Sequence, residues 1–329
     1  MQRRTRLDVS RAGVVLFAEG PITFRGEGGE HSGPVARCFV KGLGLYVRGT
    51  TTITPTPGGT MARWRWVIGG ALATMLAMCA GQAAAQSGPG PVKMEWFSWS
   101  IFRFTSPGGK IIVTNPFVTN PDSPVKVPDF PKADVILVAD GHPDEVGSTA
   151  EIAIQTGAKI VSTHEMWTTY FQPRNVPEAQ MFRSQPGDWF KLDGITIRNV
   201  ASVHGSGTGD KLSGGSAMGF IIQFENGLTV YFAGSTALTM DMALWGMLYK
   251  PDIAILPLSQ SRDPGDLVQM VRLLRTENPN LKTIIPHHHR LQPPLGAATP
   301  ADMDATFKAS GLPVTVLSPD LKKVYELTK

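Results

Sequence analysis

After residue 110, short apolar segments with many β-branched residues alternate with longer segments of helical spacing. The strand candidates are 110–114, 134–139, 158–162, 197–203, 218–224, 228–232, 252–258, 281–285 and 313–317. The helix candidates are 146–155, 165–171, 240–249, 265–276 and 300–309. Asn226-Gly227 separates two strand candidates and is a strong hairpin signal. The alternation predicts a layered α/β or α+β domain, because a sheet buries its apolar face against helices or another sheet.

Segment 61–85 has the three parts of a secretory signal peptide. Arg63 and Arg65 supply positive charge, 67–80 is an uncharged apolar run of fourteen residues, and 83–85 offers small residues for cleavage before Gln86. A membrane-spanning helix is the alternative, but it needs about 20 apolar residues. We therefore expect an untranslated or disordered extension at 1–60, a signal peptide at 61–85 and a domain at 86–329 that is periplasmic or secreted.

The charge distribution bears on the partner. Residues 1–85 hold ten of the 31 basic residues and four of the 27 acidic ones, which leaves the rest of the chain with a net charge of −2. This balance argues against a nucleic-acid partner. Both cysteines also precede Gln86, so the domain has no thiol for a disulfide or a metal. We expect a small-molecule substrate or ligand and no membrane contact after signal cleavage, and the sequence leaves the oligomeric state open.

Ionisable side chains gather where strand candidates end. Segment 140–145 (DGHPDE), His204 and His288 each follow a different strand candidate. Taken singly, they are compatible with an ordinary turn, a surface histidine and a solvated loop. Taken together, histidines and carboxylates from separate strand ends are suitable ligands for a divalent metal.

The order of these motifs resembles the metallo-β-lactamase superfamily, and within it the branch of ascorbate-6-phosphate-lactonase-like and uncharacterised hydrolases. The segments that carry the resemblance are 96–100 (WFSWS), 115–117 (NPF), 140–145 (DGHPDE), 204–206 (HGS), 214–215 (GG), 219–220 (GF), 231–236 (YFAGST), 241–242 (DM), 251–257 (PDIAILP) and Pro286 with His288. Together they span roughly residues 92–292. The resemblance implies an αββα four-layer sandwich with a site along one edge of the two sheets.

The resemblance also implies two sets of metal ligands and an aspartate that bridges the two metals. The positions that match the first set are Asp140, His142 and His204. The positions that match the second set are Asp144, Glu145 and His288. The bridging position is occupied by Ser235, and the two positions Asp140 and Glu145 carry carboxylates where the family has histidines.

These departures favour one metal. Two histidines with one carboxylate suit zinc, with iron or manganese as alternatives. A serine cannot bridge two cations about 3.5–4 Å apart as a carboxylate does. We expect Asp144 and Glu145 to be catalytic, the first by orienting or deprotonating water and the second, or His288, by protonating a leaving group. The residues expected to line the substrate pocket are Trp99, Asn115 and Ser235.

The function implied by the resemblance is an exported metal-dependent hydrolase with a degenerate, mononuclear site, acting on an ester, lactone, amide or phosphoester. The alternative is a non-catalytic exported binding protein on the same fold that holds no metal. Convergence of His204 and His288 with Asp140 and His142 favours the enzyme. Occupation of that space by Trp99 favours the binding protein.

Overall fold

The computed structural model describes residues 6–9, 14–17 and 90–329. The chain divides into two units, Met1–Ala84 and Ala85–Lys329. In the first unit, strands β1 (Arg6–Val9) and β2 (Val14–Phe17) pair antiparallel. The predicted signal peptide at 61–85 and both cysteines lie outside the described residues. Among the helices of the described part, none has the length and apolar character that a bilayer crossing requires.

Two seven-stranded sheets form the second unit. The strands of the first sheet are β3 (Val92–Trp96), β4 (Phe102–Thr105), β5 (Ile111–Thr114), β6 (Val135–Leu137), β7 (Lys159–Ser162), β8 (Met181–Arg183) and β16 (Tyr325–Leu327). The strands of the second sheet are β9 (Trp189–Leu192), β10 (Ile195–Ala201), β11 (Met218–Gln223), β12 (Thr229–Phe232), β13 (Ile253–Pro257), β14 (Thr283–His287) and β15 (Thr315–Val316). Their spatial orders are β16-β3-β4-β5-β6-β7-β8 and β15-β14-β13-β12-β11-β10-β9. In each sheet four neighbouring strands run parallel, β5 to β8 and β12 to β15.

The two sheets pack face to face through an aromatic core. Phe104 of the first sheet lies 6.0 Å from Phe224 beside the second, and Phe102 lies 6.2 Å from Phe232, measured between ring centroids. All four rings are buried. Aromatic pairs at this separation add to the free energy gained from removing their apolar area from water.

Helices cover the outer face of each sheet, and their own buried faces complete two further apolar clusters. The helices beside the first sheet are Pro143–Val146, Thr149–Thr156 and His164–Met166. The helices beside the second sheet are Asp241–Tyr249, Pro264–Leu274 and Pro300–Ser310. This layering confirms the predicted αββα sandwich.

Two helix predictions differ from the structure. The predicted helix at 146–155 is split, because Gly147 has a positive φ of 42° and ends the first helix. A Cβ at Gly147 would lie 2.5 Å from the backbone of Phe117, so the chain passes too close there for any other residue. The predicted helix at 165–171 is α-helical only over His164–Met166 and continues as a wider π-type turn over Trp167–Phe171.

The hairpin predicted at Asn226-Gly227 joins β11 and β12, which pair antiparallel. Gly227 has a φ of 83°, and its added Cβ would meet nothing closer than 4.0 Å. Gly227→Ala should therefore lower the free energy of unfolding by about 1 kcal/mol through backbone strain alone. Urea denaturation measures this, with Gly207→Ala as the control, since Gly207 also has open space but no positive φ. Equal stability of the two variants would contradict the strain.

Candidate metal centre

The candidate site lies where several strands end. Asp140 follows β6, His204 follows β10, Ser235 follows β12 and His288 follows β14. Loops that leave strand ends on a rigid sandwich can bring such residues together although they are distant in sequence.

The turn after β6 orients the side chains of Asp140 and His142. The backbone N–H of His142 donates to Asp140 Oδ1 at 2.9 Å, and the ring Nδ1 of His142 lies 3.2 Å from the same oxygen. Pro143 opens the helix that follows, where its missing N–H costs nothing. Gly141 packs against the loop that carries Ser206, whose Oγ accepts from the Gly141 N–H at 3.1 Å.

Asp140, His142 and His204 converge. Each offers one ligand atom, and these atoms lie within 4.8 Å of one another. The two imidazole rings meet edge to face with centroids 5.0 Å apart. Asp140 is buried, and its Oδ2 has no hydrogen-bond partner among the described residues. A buried carboxylate oxygen without a partner is costly unless a cation or donor satisfies it, so the donor set fits a divalent metal.

The two histidines of this cluster differ electrostatically. The hydrogen bond and charge of Asp140 raise the pKa of His142, although partial burial opposes the charged form. Partial burial lowers the pKa of His204, and the nearby cations His142 and Arg262 act in the same direction. A metal would need both rings in the neutral form, since only neutral imidazole is a ligand, so it would compete with a proton chiefly at His142.

Glu145 lies outside this cluster and is fully buried. Its Oε1 accepts from Ser235 Oγ at 2.7 Å and from Ser100 Oγ at 3.2 Å, and lies 3.3 Å from His288 Nε2. Its Oε2 accepts from the side-chain amide of Asn115. Burial raises the pKa of Glu145 despite these donors.

His288 lies between two carboxylates. Its Nε2 is 3.1 Å from Asp144 Oδ2, and its backbone N–H donates to Trp99 O at 3.1 Å. Burial opposes a charge on the ring, but the hydrogen bonds and charges of Asp144 and Glu145 outweigh burial and raise the pKa of His288 to about 10. In turn, the pKa of Asp144 is lowered, because its bond to His288 outweighs partial burial.

This ion pair predicts a pH-dependent contribution to stability in the metal-free protein. A raised pKa means that the stabilisation is fully present below the ordinary histidine pKa of 6.5 and is lost as pH rises through about 10. Between these limits, the stability advantage of the wild type over His288→Gln should shrink by at least about 1 kcal/mol. Urea denaturation of both proteins across this range measures it. A difference that stays constant with pH would show that His288 is neutral when folded.

A cavity of about 350 Å³ opens over the two groups. Its lining includes Trp99, Asp144, Ser235 and His288, together with His142 and His204. Trp99 packs edge to face on Phe117 and lies 5.4 Å from the His288 ring, so it forms the wall beside His288.

Three expectations for this site need correction. Asn115 does not line it, because the side chain is fully buried, donates to Glu145 and accepts from the Ala139 N–H at 2.9 Å. Glu145 does not line it either, and a carboxylate with no exposed surface cannot reach a leaving group from there. The expected convergence of His204 and His288 with Asp140 and His142 is found only for His204, because His288 bonds to Asp144 and Glu145 instead.

Sequence reasoning missed Ser100, Arg262 and Arg290. Ser100 Oγ contacts both Glu145 and the buried His287. Arg262 and Arg290 line the cavity. The sequence offered little indication of the two arginines, because single arginines in polar loops are common on any protein surface.

Two β-sheets packed face to face with helices on their outer faces, and a carboxylate–histidine cluster at one edge, define a metallo-β-lactamase fold with a candidate metal centre. The profile of the family described as "Beta-lactamase superfamily domain" matches residues 105–291. The chain is 32% identical over 271 residues to a "UPF0173 metal-dependent hydrolase" of Polaromonas sp., covering 76% of this chain and 95% of the relative. It is 30% identical over 234 residues to one of Rubrobacter xylanophilus, covering 69% of this chain and 93% of the relative.

Solved structures agree. A metallo hydrolase of Ignicoccus hospitalis superposes with a TM-score of 0.61 and 28% identity, over 72% of this chain and 99% of that one. An isothiocyanate hydrolase from Delia radicum gut bacteria shares the fold, with a TM-score of 0.56 and 18% identity, over 72% of this chain and 99% of that one. The chain belongs to the β-lactamase superfamily, in its family of UPF0173 metal-dependent hydrolases.

Proposed function

We propose that this protein is an exported hydrolase that uses one divalent metal, held by Asp140, His142 and His204. Zinc is the metal we expect. The observation that carries the proposal is the convergence of these three ligand atoms around a buried Asp140 oxygen that has no other partner in the described structure. The bonds it would hydrolyse are those of an ester, lactone, amide or phosphoester.

The choice of metal follows from the donor set. Two imidazole nitrogens and one carboxylate oxygen suit zinc, and they also suit iron or manganese. Three protein ligands leave coordination positions open, as catalytic rather than structural sites do.

The proposal of a single metal rests on the second group of side chains. Ser235 stands at the bridging position and donates to Glu145, so no carboxylate there joins two cations. Glu145 already accepts from three neutral donors and contacts His288. Asp144 and His288 neutralise each other at 3.1 Å. Because the charges and hydrogen-bonding groups of these side chains already satisfy one another, a second metal would gain little by binding there.

In the proposed mechanism a divalent metal would supply Lewis acidity, which makes water nucleophilic near pH 7. Asp144 lines the cavity, and its carboxylate orients the attacking water and accepts its proton. His288 lines the same cavity and supplies the proton of the leaving group; its Nε2 is held by Asp144 until it exchanges that bond for one to the leaving group. Glu145 is a positioning residue, because it anchors His288 and Ser235 from the protein interior.

Export is the second part of the proposal. It is supported by the charged, apolar and small-residue parts of segment 61–85. It places the hydrolase in the periplasm or outside the cell. Measuring the N-terminal residue of protein purified from its native compartment tests it, with Gln86 as the expected start.

Chelation tests the catalytic part. Dialysis against a chelator should reduce hydrolysis of a panel of aryl esters, lactones, anilides and phosphodiesters to background, and added zinc should restore it. Hydrolysis that survives complete metal removal would contradict the proposal. If no member of the panel is hydrolysed by metal-loaded protein, the non-catalytic binding protein becomes the better account.

A further inference from the structure

Arg262 enters the cavity from the loop between β13 and the helix Pro264–Leu274. Its Nη2 donates to the backbone oxygen of Ser235 at 2.9 Å, which holds the half-buried guanidinium beside the candidate metal ligands. Neighbouring Asp263 is occupied elsewhere, because it caps the helix by accepting from the Gly265 N–H at 2.8 Å. Within the described structure, Arg262 makes no ion pair with a carboxylate.

Arg290 reaches the same cavity from the loop after β14. Its guanidinium carbon lies 5.4 Å from the centroid of the Trp99 ring, a separation at which the cation is attracted to the aromatic face. Trp99 thus fixes the direction of an otherwise exposed side chain. Arg290, too, has no carboxylate partner among residues 90–329.

The charges that line the cavity do not balance. The one carboxylate in the lining is Asp144, and His288 already pairs with it at 3.1 Å. Ser259, Gln260 and Ser261 add uncharged polar groups next to Arg262. Within the described part of the chain, the lining therefore holds two guanidinium groups and no carboxylate that is free to pair with them. Asp266 acts on Arg262 without forming an ion pair and lies outside the lining. Arginine presents its N–H groups in a fork that fits the oxygens of a carboxylate or phosphate.

We propose that Arg262 and Arg290 form an anion subsite that binds a carboxylate or phosphate group of the molecule that enters this cavity. The assignment of that molecule as a substrate rests on the proposed function, whereas the subsite itself does not. The bond to be hydrolysed then lies a few atoms from the anionic group, toward Asp140, His142 and His204. Neutral esters fill the cavity without using either arginine.

Anion binding by the full-length, metal-free protein tests the subsite without requiring activity. Isothermal titration calorimetry with succinate and with inorganic phosphate shows whether the subsite prefers a carboxylate or a phosphate. Arg262→Gln and Arg290→Gln should each weaken the better-bound anion about tenfold, the loss of one charge-assisted hydrogen-bonded contact. Arg272→Gln is the matched control, because it removes the same charge from an exposed helical position outside the cavity.

Hydrolysis supplies a second readout. p-Nitrophenyl acetate and the p-nitrophenyl monoester of succinate share a leaving group and differ by one remote carboxylate. In metal-loaded wild type, kcat/KM for the succinate ester should exceed that for the acetate by about tenfold, and each arginine variant should remove most of this preference. The ratio of the two kcat/KM values is the readout, because a general loss of activity would lower both values together.

The outcomes are separable. The subsite would be overturned if the wild type bound neither succinate nor phosphate. It would also be overturned if either arginine substitution left the binding unchanged. Anion binding that depends on both arginines, with no hydrolysis of either ester, would support the subsite and count against ester hydrolysis as the proposed function.

Discussion

Substitution of His204 by Ala is expected to reduce kcat by at least about a thousandfold. Loss of a residue that only supports a metal ligand costs about 10–100-fold in metal affinity or activity, and loss of a ligand itself removes more. His204 is the ligand that comes from the second sheet, so its removal leaves Asp140 and His142 from a single turn. Steady-state kinetics at saturating zinc on the best substrate of the panel measures the loss.

His204 lies at the surface and is only partly shielded from water within the cavity, so the substitution should leave the fold intact. His164→Ala is the matched control: His164 is also exposed and follows Thr163, the residue that caps its helix. The control should keep wild-type kcat and thermal stability. Comparable activity in both variants would remove His204 from the site, whereas comparable losses would indicate a general structural effect.

The second large effect is expected for Asp144→Asn. Asparagine keeps the size of the side chain and one acceptor oxygen but lacks the charge and cannot accept a proton, so kcat should fall by about 10²–10⁴-fold. Metal content should stay at the wild-type level, because Asp144 is not in the cluster of three ligands. Kinetics and elemental analysis of one preparation measure both quantities.

Asp241→Asn is the control for this second substitution, since Asp241 is an exposed carboxylate at the start of a helix outside the cavity. If Asp144→Asn loses its metal together with its activity, Asp144 is a metal ligand. If it keeps both, Asp144 has no role in proton transfer.

The strands that the sequence revealed are those with the strongest local signal. The parallel strands β5 to β7 and β12 to β14 are continuous apolar runs because helices and the opposite sheet bury both faces. Strand β3 was missed although Val92, Met94 and Trp96 alternate with polar residues, since five residues give little periodicity. The edge strands β8 and β16 have three residues each, and their pairing is set by tertiary contacts alone.

The candidate ligands could be found from the sequence, because their spacing after strand ends and the surrounding motifs point to one sheet edge. Their grouping could not. The sequence presents Asp144 and Glu145 as equivalent neighbours, yet the structure places Asp144 in the cavity and Glu145 in the interior. The donors to Glu145 come from Ser100, Asn115 and Ser235. These positions are far apart in the chain and meet only when the two sheets pack.

Elemental analysis of the full-length, untagged protein tests the single-metal site most directly. We predict about one equivalent of a divalent metal, zinc in the first place, in the wild type and in His288→Gln, and none above background in Asp140→Ala. Two equivalents in the wild type would contradict the single metal. A metal that persists in Asp140→Ala and disappears in His288→Gln would contradict its assignment to Asp140, His142 and His204.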